Sequence, residues 1–504
     1  MSEKLNQLKE ILGEVADLQH AGALLEWDQQ TYMPPGGSEA RGHQLGTLGK
    51  LAQLKSTSDE VGRLIEDVTA ELGGARSLET SDSDDAALVR VAARDYDKAR
   101  RVPAEFVVEK ARVTTNAFNA WGEARGKSDF SIFRPHLEKV IDLMRKYITF
   151  FPPAEHPYDT LLDDYEPGMT TGEVQAIFNP LRQDQVKLLK AIASSKQVDS
   201  SPLYGRYNEK KMEQFCRGVA TKFGYEWANG RMDRVLHPFE TTFSIKDVRI
   251  TSRFVKTNPT MMLFSTMHET GHALYEMGVK PDYERTPLMH GASSGIHESQ
   301  SRLWENLVGR SLPFWEYFYP HFKKLFPAQL DGVGLKKFYK AINKVEPSFI
   351  RIIADEATYN MHIMLRLELE IGMVEGSLRI QDLPEMWNAK MREYLGITPE
   401  NDAMGVLQDV HWSLGLMGYF PTYALGNLIS AQLWERLNAD LPGLSDEITR
   451  GRFDSLLGWL RANLHMHGRK YDPQELVRRI TGSKINAEAY VRYLTNKYSE
   501  VYGL

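Results

Sequence analysis

The sequence predicts a large, mainly α-helical protein with one small β-sheet just ahead of residue 255. Three observations predict it. Apolar residues recur at three- and four-residue spacing through residues 1–60, 86–122, 134–150, 171–225, 333–375 and 425–500, the period of one helical face. One region breaks that habit: in 237–245 and 248–251 β-branched and aromatic residues alternate with polar ones, the pattern of a strand or hairpin. No fixed-period repeat or low-complexity linker divides the 504 residues, so residues 1–504 read as a single domain.

Taken in order, the chain opens on Leu5, Leu8, Leu12 and Val15 at helical spacing, with acids early and no continuous apolar stretch. That is a structural helix rather than a signal peptide. Met33-Pro34-Pro35-Gly36-Gly37 and Phe151-Pro152-Pro153 punctuate the helices, and the Ser/Asp-rich 80–85 reads as an exposed loop. Beyond the strand candidates, Asn258-Pro259 supplies a cap and a first-turn proline. The helix they start, Thr260 to Met277, is apolar on nearly all sides, so it should be deeply buried, with Gly278 closing it.

Composition excludes several classes of function. Hydrophobic residues at 42% and charged residues at 25% are ordinary globular values. The net charge is −6, with both signs mixed and no basic stripe, which argues against nucleic acid or an anionic membrane as partner. No run is long enough to span a bilayer. A single cysteine, Cys216, rules out an intrachain disulfide. This fits a reducing, cytoplasmic setting, and the neighbours Met212, Phe215 and Val219 make Cys216 a small core residue.

The buried helix contains His268-Glu269-Thr270-Gly271-His272. Histidines four apart stand one turn above each other on one face, so both imidazoles can reach one ion. Glu269 projects beside them, where a carboxylate can take a proton from a water at the metal. Two histidines and a glutamate are costly inside a protein unless they bind something. A catalytic zinc usually takes three protein ligands, and the third is sought on the segment Ser294-Gly295-Ile296-His297-Glu298-Ser299-Gln300. Glu298 lies 26 residues beyond His272, far enough for a loop and a return. His297 is a rival ligand, and an ordinary surface pair of Glu298 with Arg302 is the bland alternative.

These residues belong to a larger set of ordered blocks: Trp27 to Pro35, His237-Pro238-Phe239, Asp247 to Thr251, His268 to His272, His297 to Gln300, Ile350 to Asp355, and Gly405 to Trp412. With them the chain closely resembles the thermostable carboxypeptidase Taq family of zinc metallocarboxypeptidases. The resemblance implies a large helical, cleft-containing metallopeptidase fold with the small sheet beside the HExxH helix. It also implies peptide substrates with a free C-terminus, homodimers, and activity with zinc or cobalt. His268, His272 and Glu298 are then the metal ligands and Glu269 the general base and acid.

Other roles follow from the reaction. The tetrahedral oxyanion needs a stabiliser besides the metal, and His411, Tyr419 and Tyr423 are the candidates. An exopeptidase must recognise the C-terminal carboxylate, which an arginine fork does well. Arg351 is the first choice, on a wall formed by Ile350, Ile352 and Ile353; the alternative is an internal pair with Asp355. Arg249 is the second choice, more structural because it sits beside Asp247. His237 is expected to line the cleft. Arg302 stands where related peptidases place an acid, so the carboxylate that orients a ligand histidine is sought at Asp355 or Glu356. His465 and His467 lack a third ligand and are discounted. The competing functions are an endo-acting oligopeptidase with the same site and an inactive peptide-binding scaffold, the latter disfavoured by the intact Glu269.

Overall fold

The computed structural model describes residues 2–504, and each stretch of helical periodicity becomes one or more helices. Residues 1–60 form Glu3–Thr31 and Ser38–Ser56, split at the Pro/Gly punctuation. The 171–225 stretch gives Thr171–Ala193 and Glu209–Phe223. The expected helix over 333–375 is interrupted: only Leu335–Ile342 and Glu356–Glu375 are α-helical, with a short 3-10 turn at Arg351–Ile353 between them. Pro347 has no amide to donate, and Asp355 caps the second helix by accepting from the amides of Ala357 and Thr358. Several helices lie outside those stretches, among them Asp59–Glu71, Leu383–Leu395 and Leu312–Leu325, the last with Pro320 inside it. Its rings at Phe314, Trp315, Phe318, Tyr319 and Phe322 nevertheless form a buried helical face.

The predicted hairpin is present as β2 (Glu240–Ser244) and β3 (Asp247–Ser252), antiparallel, with Thr241 opposite Arg249. A third strand, β1 (Met232–Arg234), runs parallel to β3 with Met232 opposite Ile250, giving the order β1-β3-β2. Three residues are too few to show an alternation, so β1 was not visible as a pattern. β3 is the central strand and β2 an edge.

Most helices share one large core, to which Phe133, Trp304, Trp315, Met361, Trp387 and Leu428 all belong. A second, smaller core joins the N-terminal helices to the body. In it Leu5, Leu8, Val61, Leu64 and Leu88 meet Ile245, Val279, Tyr283 and Leu288. Ion pairs add to that junction: Asp84 receives Lys280 at 2.6 Å and Lys470 at 2.8 Å, and Asp95 receives Arg469 at 2.8 Å. Among the described residues no helix is long and apolar enough to cross a membrane.

The histidine helix runs Pro259–Glu276 and is capped by Asn258, whose side chain accepts from the Thr260 amide. It is buried on nearly every side; Ser265, His268 and His272 form a partly exposed stripe. It does not end on a left-handed glycine, because Gly278 has no positive φ. Gly278 is small for another reason: a Cβ there would lie 2.6 Å from Cβ of His465. Two further glycines bring the site together. A Cβ on Gly271 would stand 2.5 Å from the carbonyl oxygen of Gln300 and 2.7 Å from Cα of Ser301, and one on Gly426 would stand 2.6 Å from Cγ of Glu298. The helix carrying Glu298 (Ser294–Arg302) is therefore clasped between the histidine helix and the helix Phe420–Asp440.

Since a Cβ at Gly271 meets backbone rather than a flexible side-chain tip, the two helices must move apart to admit it. Gly271→Ala is expected to cost about 1–3 kcal/mol of stability and to weaken metal binding. Urea denaturation and chelator competition measure the two effects.

Candidate metal centre

The stripe of the histidine helix faces Glu298 across the glycine contact. Nε2 of His268 lies 3.5 Å from Oε2 of Glu298, and Nε2 of His272 lies 3.4 Å from the same oxygen. The two Nε2 atoms are 3.3 Å apart. A tetrahedral ion with arms of about 2.0–2.2 Å has donor-to-donor edges of about 3.3–3.6 Å, so these three atoms fit one face of such a polyhedron. They are the one group of three or more potential ligands found among the described residues.

The partners of each donor explain its aim. Glu298 is buried and takes Nε of Arg302 on Oε1 at 2.6 Å and the Ser301 hydroxyl on Oε2 at 2.9 Å. Burial alone would raise its pKa, but Arg302, His268 and His272 outweigh that and hold it well below the usual carboxylate range. The Glu298–Arg302 pair weighed from the sequence therefore exists, though inside the protein, where it directs the carboxylate. Burial depresses the His272 pKa to about 3, which leaves the ring neutral and able to ligate.

Nδ1 of His268 contacts Oε2 of Glu305 at 2.9 Å. Glu305, rather than Asp355 or Glu356, is therefore the carboxylate that meets the outer nitrogen of a motif histidine, and both of those are otherwise engaged. Asp355 caps its helix and accepts from the Glu346 amide, while Glu356 pairs with Lys497 at 2.6 Å. Glu305 stands seven residues after Glu298, in the π-helical turn Leu303–Val308 that continues the Glu298 helix. The wider turn re-aims it, and no sequence signal announces a π-turn.

His297, the rival ligand, is turned away from the cluster. Its Nδ1 meets Nδ1 of His272 at 2.6 Å and its Nε2 meets Oε1 of Glu276 at 2.9 Å. Glu269 is buried beside the donors, and burial, together with Glu240, Glu298 and Glu305, pushes its pKa up to about 8 against the pull of His268. Two imidazoles, a carboxylate and an adjacent carboxyl make a donor set suited to a small divalent ion with a neighbouring proton acceptor.

The family model described as carboxypeptidase Taq (M32) metallopeptidase matches residues 7–498. This chain belongs to that family. It is 41% identical over 506 residues to thermostable carboxypeptidase 1 of Thermus thermophilus, covering 98% of each chain. It is 38% identical to carboxypeptidase 1 of Bacillus subtilis, covering 98% of this chain and 97% of the relative. The crystal structure of the M32 carboxypeptidase of Deinococcus radiodurans superposes with a TM-score of 0.96 at 40% identity, covering 100% of both chains. The chain is thus a metal-dependent peptide hydrolase of the carboxypeptidase kind, with the mainly helical fold of its family.

In this carboxypeptidase the remaining candidates fall into three groups. Arg351 is buried, but it pairs with Asp409, not Asp355: Nη2 lies 2.9 Å from Oδ1, and Nη1 donates to the Tyr359 hydroxyl at 3.0 Å. Arg366 takes the other oxygen of Asp409 at 2.5 Å. Ile352 and Ile353, expected as a partly buried wall, are exposed. His411, Tyr419 and Tyr423 cluster next to this pair. Nε2 of His411 is 3.3 Å from the Tyr423 hydroxyl, and the guanidinium of Arg351 lies over the Tyr423 ring at 4.8 Å. Tyr359, missed in the sequence, connects the two regions, since Arg302 lies over its ring at 4.3 Å. Burial and then the charge of Arg351 lower the His411 pKa to about 3.

His237 sits exposed on the loop between β1 and β2 and, among the described residues, makes no hydrogen bond to the cluster. Arg249 is held in the sheet by Asp247 at 2.8 Å and stacks on Trp27. His465 is a buried packing residue that contacts Gln300, and Cys216 is buried in the core.

Glu305→Gln replaces a charged acceptor for His268 with a neutral amide. It should weaken metal binding about 10- to 100-fold, read as a shift in chelator competition with native circular dichroism retained.

Proposed function

We propose that this carboxypeptidase removes single residues from peptide C-termini with zinc held by His268, His272 and Glu298. Cobalt is expected to substitute. The observation that carries the reading is the convergence of three donor atoms 3.3 to 3.5 Å apart beside the buried carboxyl of Glu269. When bound, the ion supplies a Lewis acid for the scissile carbonyl and acidifies the attacking water.

The chain's own residues do the rest. Glu269, ionised once the charge of the ion offsets its raised pKa, accepts the proton of the attacking water and returns it to the leaving amine. Burial pushes the Tyr419 pKa up to about 12 and the Tyr423 pKa well above its ordinary value. Both hydroxyls stay protonated and can donate to the developing oxyanion, and a neutral His411 supports Tyr423. Asp409 is shared by two guanidinium groups, so one unit of positive charge is left over in a buried place. Arg351 offers that charge to the C-terminal carboxylate of the peptide. The edge strand β2 gives the upstream backbone hydrogen-bonding partners, and His237 is a rim contact. The resemblance further supports a homodimer, the single cysteine fits a cytoplasmic setting, and residues 1–504 are read as one catalytic domain.

The test is mass spectrometry of one peptide with a free or an amidated C-terminus, incubated with zinc-loaded protein. Stepwise loss of C-terminal residues from the free form only, stopped by chelator, is the expected result. Internal fragments from both forms would instead make it an endopeptidase. Glu269→Gln should keep its zinc and lose about a hundred- to ten-thousandfold in kcat. Arg351→Ala should raise KM on free peptides; a variant as selective for free termini as the wild type would remove the arginine from this role.

A further inference from the structure

Behind His272 the polar contacts continue to the end of its own helix and to the 290–291 loop. His297 takes its Nδ1 contact and passes to Oε1 of Glu276, which also accepts from the Gly291 amide at 3.1 Å. The other oxygen of Glu276 meets Nδ1 of His290 at 3.0 Å. Glu276 ends the histidine helix and is 2% exposed. His290 holds a left-handed backbone, φ 84°, which a residue with a side chain adopts only when its surroundings enforce it. Glu276 grips that loop at two adjacent residues.

The protons along this path are determined by chemistry. An imidazole that ligates through Nε2 carries its proton on Nδ1, so His272 must be the donor in the contact with His297. Nδ1 of His297 must then be a bare acceptor, and a neutral ring with a bare Nδ1 carries its proton on Nε2. That proton points at Oε1 of Glu276, and an ionised carboxylate only accepts. Were Glu276 replaced by a group that cannot accept, His297 would be free to place its proton on Nδ1. Two N–H groups would then face each other 2.6 Å apart, and the His272 ring would have to turn. His268 has a carboxylate directly behind it, whereas His272 reaches one only through another histidine.

We propose that Glu276 is a positioning residue of the metal centre: it fixes His297 as the Nε2–H tautomer, so that His297 accepts from Nδ1 of His272 and holds that ring toward the ion. The assignment rests on His272 being a ligand, as in the function proposed above. A structural role for Glu276 in holding the 290–291 loop would by itself leave the His272 ring unaffected.

The experiment is a double-mutant cycle read by zinc affinity, not by activity. Glu276→Leu should weaken zinc binding about tenfold or more. His297→Asn puts an acceptor oxygen near the place of Nδ1 with no tautomer to control, and should stay within about threefold of wild type. Adding Glu276→Leu to His297→Asn should then cost less than about threefold, because coupled residues are not additive. An equal loss in both backgrounds would overturn the proposal and leave Glu276 a loop anchor. Wild-type protein that binds no zinc would refute the metal-site reading instead. Neutron diffraction of the zinc-loaded wild type needs no variant: hydrogen on Nε2 of His297 with Nδ1 bare is expected, and hydrogen on its Nδ1 overturns the assignment.

Discussion

The candidate metal centre depends on how closely three helices approach. The donors come from two helices, and their Nε2 and Oε2 atoms can stand 3.3 to 3.5 Å apart only because the backbones behind them nearly touch. Gly271 and Gly426 make this possible, one on each side of the helix that carries Glu298. A methyl group at either position would enter space already filled by backbone or by Glu298 itself. Close packing of this kind transmits small displacements, so the glycine inside the His-Glu-Thr-Gly-His motif sets the spacing of the three candidate donors.

The second constraint is charge. Glu269 and Glu298 are buried, the half-buried Glu305 lies near them, and the cations at hand are Arg302, which bridges Glu298 and Glu305, and Arg310, 3.4 Å from Glu305. Three carboxyls against two guanidinium groups leave a local deficit of positive charge, which adds to burial in raising the Glu269 pKa. A divalent cation is the natural complement to such a site. Around Asp409 the imbalance has the opposite sign, two arginines on one carboxylate. A region short of positive charge and a region with an excess of it are joined by Tyr359, which contacts an arginine of each.

The sequence disclosed the parts of this arrangement that follow a short period. The motif at 268–272, the cap at Asn258 and the hairpin at 240–252 are local patterns, and each is present. What it hid depends on tertiary contact or on departures from regular geometry. Glu305 was invisible as a partner of His268 because a π-helical turn sets its direction. Asp355 is a natural candidate from its block, but one of its oxygens caps the following helix and the other accepts from the Glu346 amide. The pairing of Arg351 with Asp409 links residues 58 apart, and no helical spacing could suggest it. Gly278 shows the reverse error: a glycine at a helix end invited a capping role, whereas its smallness serves His465, far away in the chain.

His297 shows how a residue can be a sound candidate ligand in the sequence and take another role in space. It adjoins Glu298, and neighbours on a helix point about 100° apart, so both cannot face the same ion. Once Glu298 faces the histidine pair, His297 must face the flank, where it meets Nδ1 of His272. The choice between them is thus made by helix geometry and by the carboxylate that awaits each alternative. Arg302, one turn along, directs Glu298, and Glu276, at the end of the opposing helix, receives His297. Each side chain of the pair has a partner of opposite character, Arg302 for the buried Glu298 and the buried Glu276 for the half-buried His297, which explains why two adjacent polar residues can both be accommodated here.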